Sequence, residues 1–194
     1  MSRLAYVLAS YFAVLLIVII ALVDPAPRLL WNASASAPIG LYTIHPTDDP
    51  DAGKLVAILP PEPLARWMAA RHYLPLGVPL LKHVAAKAGQ QVCRHGVRIS
   101  IDGHVVATAR LHDSHNRSLP IWSGCRRLDG GELFLLNPSI PDSLDSRYFG
   151  PLSVRDMLGQ ATPILTRNTS TGPLRWRANT PSPSVPQSCK RTSP

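Results

Sequence analysis

The sequence predicts a mainly β, antiparallel domain, tethered by one N-terminal transmembrane helix and followed by a disordered basic tail. Three observations carry this. Leu4 to Val23 is a run of 20 residues without a charge. Beyond it, seven short segments rich in aliphatic and β-branched residues are each closed by Gly, Pro or Asp, as strands are. The chain also holds 20 prolines in 194 residues, about twice the average usage of roughly 5%, which disfavours a helical bundle.

The first element, residues 1–24, reads as the anchor. Twenty helical residues at about 1.5 Å each span a hydrocarbon core of roughly 30 Å. Arg3 ahead of the run favours a cytoplasmic N-terminus, with the rest of the chain outside. Apolar regions of cleavable signal peptides run about 7–15 residues, shorter than this one. Ala33-Ser34-Ala35 mimics a cleavage site but lies ten residues past Val23, so the anchor is expected to stay attached. Leu29, Leu30 and Trp31 fit a membrane interface as well as the start of a core.

Residues 25–165 are expected to form one extracytoplasmic domain. Its strands are read in "GLYTIHP", "KLVAILP", "PLLKHVAA", "GQQVCRHG", "VRISIDG", "HVVATAR" and "GELFLLN". Asp102-Gly103 between two such runs predicts a two-residue hairpin turn of type I′. Between Pro60 and Tyr73, Leu64, Trp67, Met68 and Arg71 recur at helical spacing and predict one short helix. From residue 166 onward Thr, Ser, Pro and Arg dominate and no apolar pattern continues, the composition of a disordered tail.

Charge narrows the function. The net charge is +8, yet five of those charges lie in the tail, which has no acidic residue. The folded part carries no basic face, so nucleic-acid binding by it is not expected. Cys93 and Cys125 fall within the ordered region. Pairing and burial as separate small apolar residues are both open, with Cys189 left in the tail. No cysteine spacing suggests zinc, and His112-Asp-Ser-His115 reads as a polar loop. No cofactor or metal is called for.

Two residues carry the chemistry. In "NASASAPIGLY" the hydroxyl of Ser36 precedes a rigid Pro-x-Gly turn, which suits a nucleophile held still by its backbone. In "GVPLLKHVAA" the period of two puts Lys82 on the same face as Val78, Leu80 and Val84. An amine among aliphatic side chains loses solvation, and its neutral, basic form becomes populated. The bland alternative is an edge lysine whose ammonium reaches water. A third stretch, "DSLDSRYFGP", offers an Asp145–Arg147 pair to fix a loop, and Ser143 to orient the lysine amine.

These three stretches, in this order, resemble the membrane-anchored signal peptidases of the Ser/Lys type. Within that family the closest likeness is to the TraF-type conjugative transfer peptidases. Asn32, the Ser36-Ala-Pro-Ile-Gly-Leu-Tyr42 run, "GQQVCR" and "LPIWSGCRRLDGGELFLLN" carry it, over roughly residues 30–160. Ordinary leader peptidases have methionine after the nucleophile. Its absence here, with proline at the second position, favours the TraF type. His83 stands where arginine commonly follows the lysine, which makes it a competing base.

The resemblance implies a signal-peptidase-like β fold with Ser36 as nucleophile, Lys82 as general base and Asp145 as an active-site acid. Ser34 would line the oxyanion hole, and Ser143 and Arg147 would support the site. It also implies a pilin precursor or other membrane-embedded peptide as substrate, trimmed and closed head to tail. The enzyme would sit in a bacterial inner membrane facing the periplasm, in contact with the bilayer and the mating-pair-formation apparatus. Two other readings compete: a general type I signal peptidase of the same chemistry, and a non-enzymatic scaffold of a secretion or pilus apparatus. The dyad reading expects Lys82 Nζ within about 3.5 Å of Ser36 Oγ, and looser spacing in an unliganded site.

Overall fold

The computed structural model describes residues 3–23, 28–169 and 171–177. The first element, α1 (Arg3–Val23), is a 21-residue helix. Its Arg3–Ile20 window has a mean hydropathy of 2.3 and none of it is buried against protein. It is long and apolar enough to cross a bilayer, and water would make such a bare apolar surface costly.

The strands form two antiparallel sheets, as the turn-punctuated pattern predicts. In chain order they are β1 (Leu29–Asn32), β2 (Ile39–His45), β3 (Leu55–Ile58), β4 (Leu80–Ala86), β5 (Gln91–His95) and β6 (Arg98–Ile101). They continue as β7 (His104–Thr108), β8 (Gly124–Arg127), β9 (Glu132–Leu136), β10 (Leu152–Ser153), β11 (Met157–Arg167) and β12 (Arg175–Trp176). The larger sheet runs β1-β2-β11-β3-β4-β9-β10, with β12 added alongside β11. The smaller runs β7-β6-β5-β8. The helix expected between residues 60 and 73 is α2 (Glu62–Ala70), which turns the buried Met68 into the core. A last short helix, α3 (Ser146–Phe149), follows β9.

Alternation divides the core. On one face of the large sheet Val56, Ile58, Leu80, Val84, Leu133 and Leu135 pack with Met68. On the other, Tyr42, Ile44, Leu55, Ala57, Leu81 and Ala161 pack with Ala37. Lys82 pairs with Val56 across β3 and β4, so it shares the first face, as period two requires. The small sheet contributes Val92, Ile99 and Ile101 to a third cluster around Phe134.

The hairpin between β6 and β7 turns at Asp102 and Gly103, both with positive φ (49° and 83°), which a type I′ turn requires. Cys93 and Cys125 sit directly opposite each other on β5 and β8 and form a disulfide. Cys189 lies outside the described residues.

One expectation needs correction. The domain does not stop at residue 165: β11 runs on to Arg167 and buries Thr166. The chain then returns so that Thr166 pairs with Arg175 and Leu165 with Trp176. Composition marks this stretch as disordered, but it gains backbone hydrogen bonds that an unpaired edge lacks. Of the expected 166–194 tail, residues 178–194 lie outside the described residues. Leu29–Trp31, left open between interface and core, begins the sheet as β1.

Candidate active site

The site is assembled on two platforms. The first is the turn after β1, built around one buried asparagine. Asn32 Nδ2 donates to the carbonyls of Ser34 (2.9 Å), Ala37 (3.1 Å) and Pro38 (3.0 Å). Asn32 Oδ1 accepts from the Ser34 backbone N–H (3.1 Å) and from Ser34 Oγ (2.9 Å). From the far side Tyr42 donates its hydroxyl to the Pro38 carbonyl at 2.6 Å. Burial raises the Tyr42 pKa, so the phenol stays a donor. Gly40 closes the platform: its φ is +145°, and a Cβ there would lie 2.1 Å from the Leu165 carbonyl oxygen. The turn is therefore fixed along its length, with Ser36 half-buried at its head.

Ser36 Oγ lies 3.1 Å from Ser34 Oγ. Ser34 spends its single proton on Asn32 Oδ1, which can only accept, so Ser36 is the donor of the pair.

The second platform is the amine and the loop that holds it. Lys82 is 1% exposed in a strand buried along its whole length. Its Nζ donates to Ser143 Oγ at 2.8 Å. Burial lowers the Lys82 pKa to about 8, against the charge of Asp145, which raises it, and with that of Arg147, which lowers it further. An amine near 8 is about one-tenth neutral at pH 7, where an ordinary lysine, at about 10.4, is under about one part in a thousand neutral.

Ser143 is held by a buried ion pair. Arg147 Nε and Nη2 reach the two carboxylate oxygens of Asp145 at 2.8 Å each. The same guanidinium donates to the carbonyls of Ile140 (2.9 Å) and Ser143 (3.1 Å), fixing the loop. Burial works to lower the Arg147 pKa, but the hydrogen bonds and charge of Asp145 outweigh it, and the net shift is upward. Asp145 also caps α3 by accepting the Arg147 N–H at 3.2 Å. Sequence places all of this in one motif, and the structure brings it together.

Asn137 joins the platforms. Its Nδ2 donates to the Ser36 carbonyl and, at 3.1 Å, to that of Leu81. Its backbone N–H donates to Asp145 Oδ2 at 3.0 Å. Its Oδ1 accepts from His83 Nδ1 at 2.9 Å. Sequence reasoning missed Asn137; the one available signal was a lone amide closing the apolar run "GELFLLN". His83, the alternative base, thus has Nδ1–H committed to Asn137, while its buried Nε2 has no partner among the described residues. Burial lowers the His83 pKa, with the Asn137 bond opposing and the Lys82 charge assisting.

The expected contact between Ser36 and Lys82 is not formed as a hydrogen bond. The amine donates instead to the buried hydroxyl of Ser143, and the Ser36 hydroxyl to the exposed one of Ser34. Beside Ser36 opens a pocket of about 150 Å³ walled by Pro38, His83, Asn137, Ile140 and Asn168.

One amide thus ties the fixed turn of the half-buried Ser36 to the strand and loop that hold a desolvated amine, an arrangement compatible with serine hydrolase chemistry. Residues 1–166 match the family described as signal peptidase, peptidase S26, and the chain belongs to that family. It is a serine peptidase of the signal peptidase type, from a family anchored in membranes. Its relatives are conjugal transfer proteins. It is 38% identical over 145 residues to a probable conjugal transfer protein TraF of Sinorhizobium fredii (strain NBRC 101917 / NGR234), covering 70% of this chain and 76% of that one. It is 37% identical over 147 residues to the conjugal transfer protein TraF of Agrobacterium fabrum (strain C58 / ATCC 33970), covering 70% and 81%. A solved signal peptidase I of Enterococcus faecalis V583 is similar at 20% identity and a TM-score of 0.35, over 58% of this chain and 96% of that chain.

Proposed function

We propose that this chain matures a pilin precursor of a conjugative transfer system, using Ser36 and Lys82 as a catalytic dyad. The observation that carries the reading is the Lys82 amine, buried at 1% exposure and, among the described residues, hydrogen-bonded only to a neutral hydroxyl. A lysine kept from water and from a direct carboxylate contact has no structural task that leucine would not do better.

Lys82 and Ser36 are separately satisfied at rest, so substrate entry is the event that rotates the Ser36 hydroxyl from Ser34 toward the amine. Neutral Lys82 then takes the Ser36 proton as Oγ attacks the scissile carbonyl. The oxyanion is held by the Ser36 N–H and by Ser34 Oγ, once that hydroxyl turns away from Asn32. Losing one such donor typically costs about 3–4 kcal/mol of barrier. Lys82 passes its proton to the departing amine, leaving an acyl ester on Ser36. In the second half an acceptor amine or water attacks that ester. Lys82 takes its proton and returns it to Ser36 Oγ.

With the substrate's own N-terminal amine as acceptor, the product is a closed ring. The domain would lie on the periplasmic side of the inner membrane, and the mating-pair-formation apparatus would receive the product. Ser36 lies only thirteen residues past Val23, at most about 45 Å when extended, which suits a substrate itself embedded in the bilayer. The test is mass spectrometry of a pilin precursor incubated with membranes carrying the full chain. The expected product lacks a C-terminal piece and is lighter by one water than the trimmed linear chain. Trimming at the N-terminus instead would reassign the enzyme to general signal-peptide removal. No Ser36-dependent product would leave the scaffold reading.

A further inference from the structure

The pocket beside Ser36 shares the side chain of His83 with a second, larger recess that the mechanism leaves unused. It is a groove of about 880 Å³ over β2, β11 and the start of β3. His83 lines both the groove and the pocket at Ser36. The strands also connect them: β11 pairs with β2 from Ile39 opposite Arg167 down to His45 opposite Gln160. Asn168 borders the nucleophile pocket at one end, and Gln160 borders the groove at the other.

The lining has a distinct chemistry. Leu55 and Ala161 supply apolar floor, while Lys54, Arg177 and His45 supply the polar groups. Among the described lining residues there is no carboxylate, so the two cations face the groove without an acidic partner in its wall. Neither Lys54 nor Arg177 is in an ion pair among the described residues.

We infer that this groove receives the C-terminal end of the peptide released from the substrate, with Lys54 and Arg177 recognising its free carboxylate. Thr43, in the groove, lies seven residues from Ser36 along the chain. At about 3.3 Å per residue that separation is at most about 23 Å, which an extended leaving piece of up to about seven residues spans. Backbone groups and the apolar floor accept a short peptide of varied sequence, and the two cations read its terminus. A signal peptidase cutting near a preprotein's N-terminus meets no such terminus on the leaving side, so the groove favours C-terminal trimming. The inference rests on the reading of Ser36 as the acyl-forming residue.

The experiment is equilibrium binding to the full chain carrying Ser36→Ala, in detergent micelles. The probe is a dye-labelled tetrapeptide, Ala-Ala-Leu-Ala, offered as the free acid and as the C-terminal amide. The acid is expected to bind about tenfold more tightly at low salt. The preference should vanish in a chain that also carries Lys54→Gln and Arg177→Gln. Equal binding of acid and amide overturns the inference, as does a preference that survives both substitutions. Binding that appears only after residues 178–194 are removed would assign the groove to the chain's own C-terminal segment, and overturns it too. The reading of Ser36 fails separately, by the absence of any Ser36-dependent product, and that result does not touch the binding measurement.

Discussion

Replacing Lys82 with methionine is expected to lower kcat/KM on a pilin precursor by about 10²–10⁴-fold, the scale of a general base. The fold should remain intact or become slightly more stable. Lys82 packs on the face of Val56, Leu80 and Val84, and an unbranched thioether fills the same channel without desolvating a charge. Ser143 loses a hydrogen-bonding partner but is itself neutral. Kinetics and thermal unfolding of the same preparation separate the two effects. Activity within tenfold of the parent would remove Lys82 from the chemistry. A collapse of the fold would make it a structural residue.

Arg147→Met is expected to act in the opposite sense, through stability. It strands the Asp145 carboxylate, which has no exposed surface, and it releases the carbonyls of Ile140 and Ser143. Removing one partner of a buried pair costs about 3–5 kcal/mol, a large share of the roughly 5–15 kcal/mol that holds a domain together. Urea unfolding of the full chain in micelles should show the midpoint falling accordingly. Adding Asp145→Leu should recover part of the loss, because the stranded charge is gone. Recovery stays incomplete, since Asp145 also accepts the backbone N–H groups of Asn137 and Arg147. A single substitution costing under about 1 kcal/mol would place the pair among weak, solvated ones.

Much of the site was legible because it is local. The alternation around Lys82 fixes its face, and "DSLDSRYFGP" carries Ser143, Asp145 and Arg147 within one loop. The strands with clean alternation and glycine or proline bounds appear where expected. Those that escaped have physical reasons. β11 contains Gly159 and Pro163, which read as breakers. In the sheet both fall at irregularities of register, between Met157 and Gly159 and between Pro163 and Leu165. Gly159 is also required where it stands, since a Cβ there would lie 2.4 Å from the His45 carbonyl oxygen. β8 is exposed along its length and charged, so it has no apolar period to read. Asn137 bridges partners as much as 101 residues away in sequence, a relation created only by tertiary packing. The separate satisfaction of Ser36 and Lys82 is likewise a property of packing, not of any motif.

The central claim is that burial brings the amine at position 82 to titrate near 8, so that a usable fraction of it is neutral near neutral pH. Its direct test is a pH titration of the Lys82 side chain by NMR in the full, micelle-bound chain, with its resonance assigned by its loss in Lys82→Met. Burial predicts a midpoint near 8, and kcat/KM should rise through the same pH as the amine loses its proton. A midpoint at the ordinary value of about 10.4 would contradict the account.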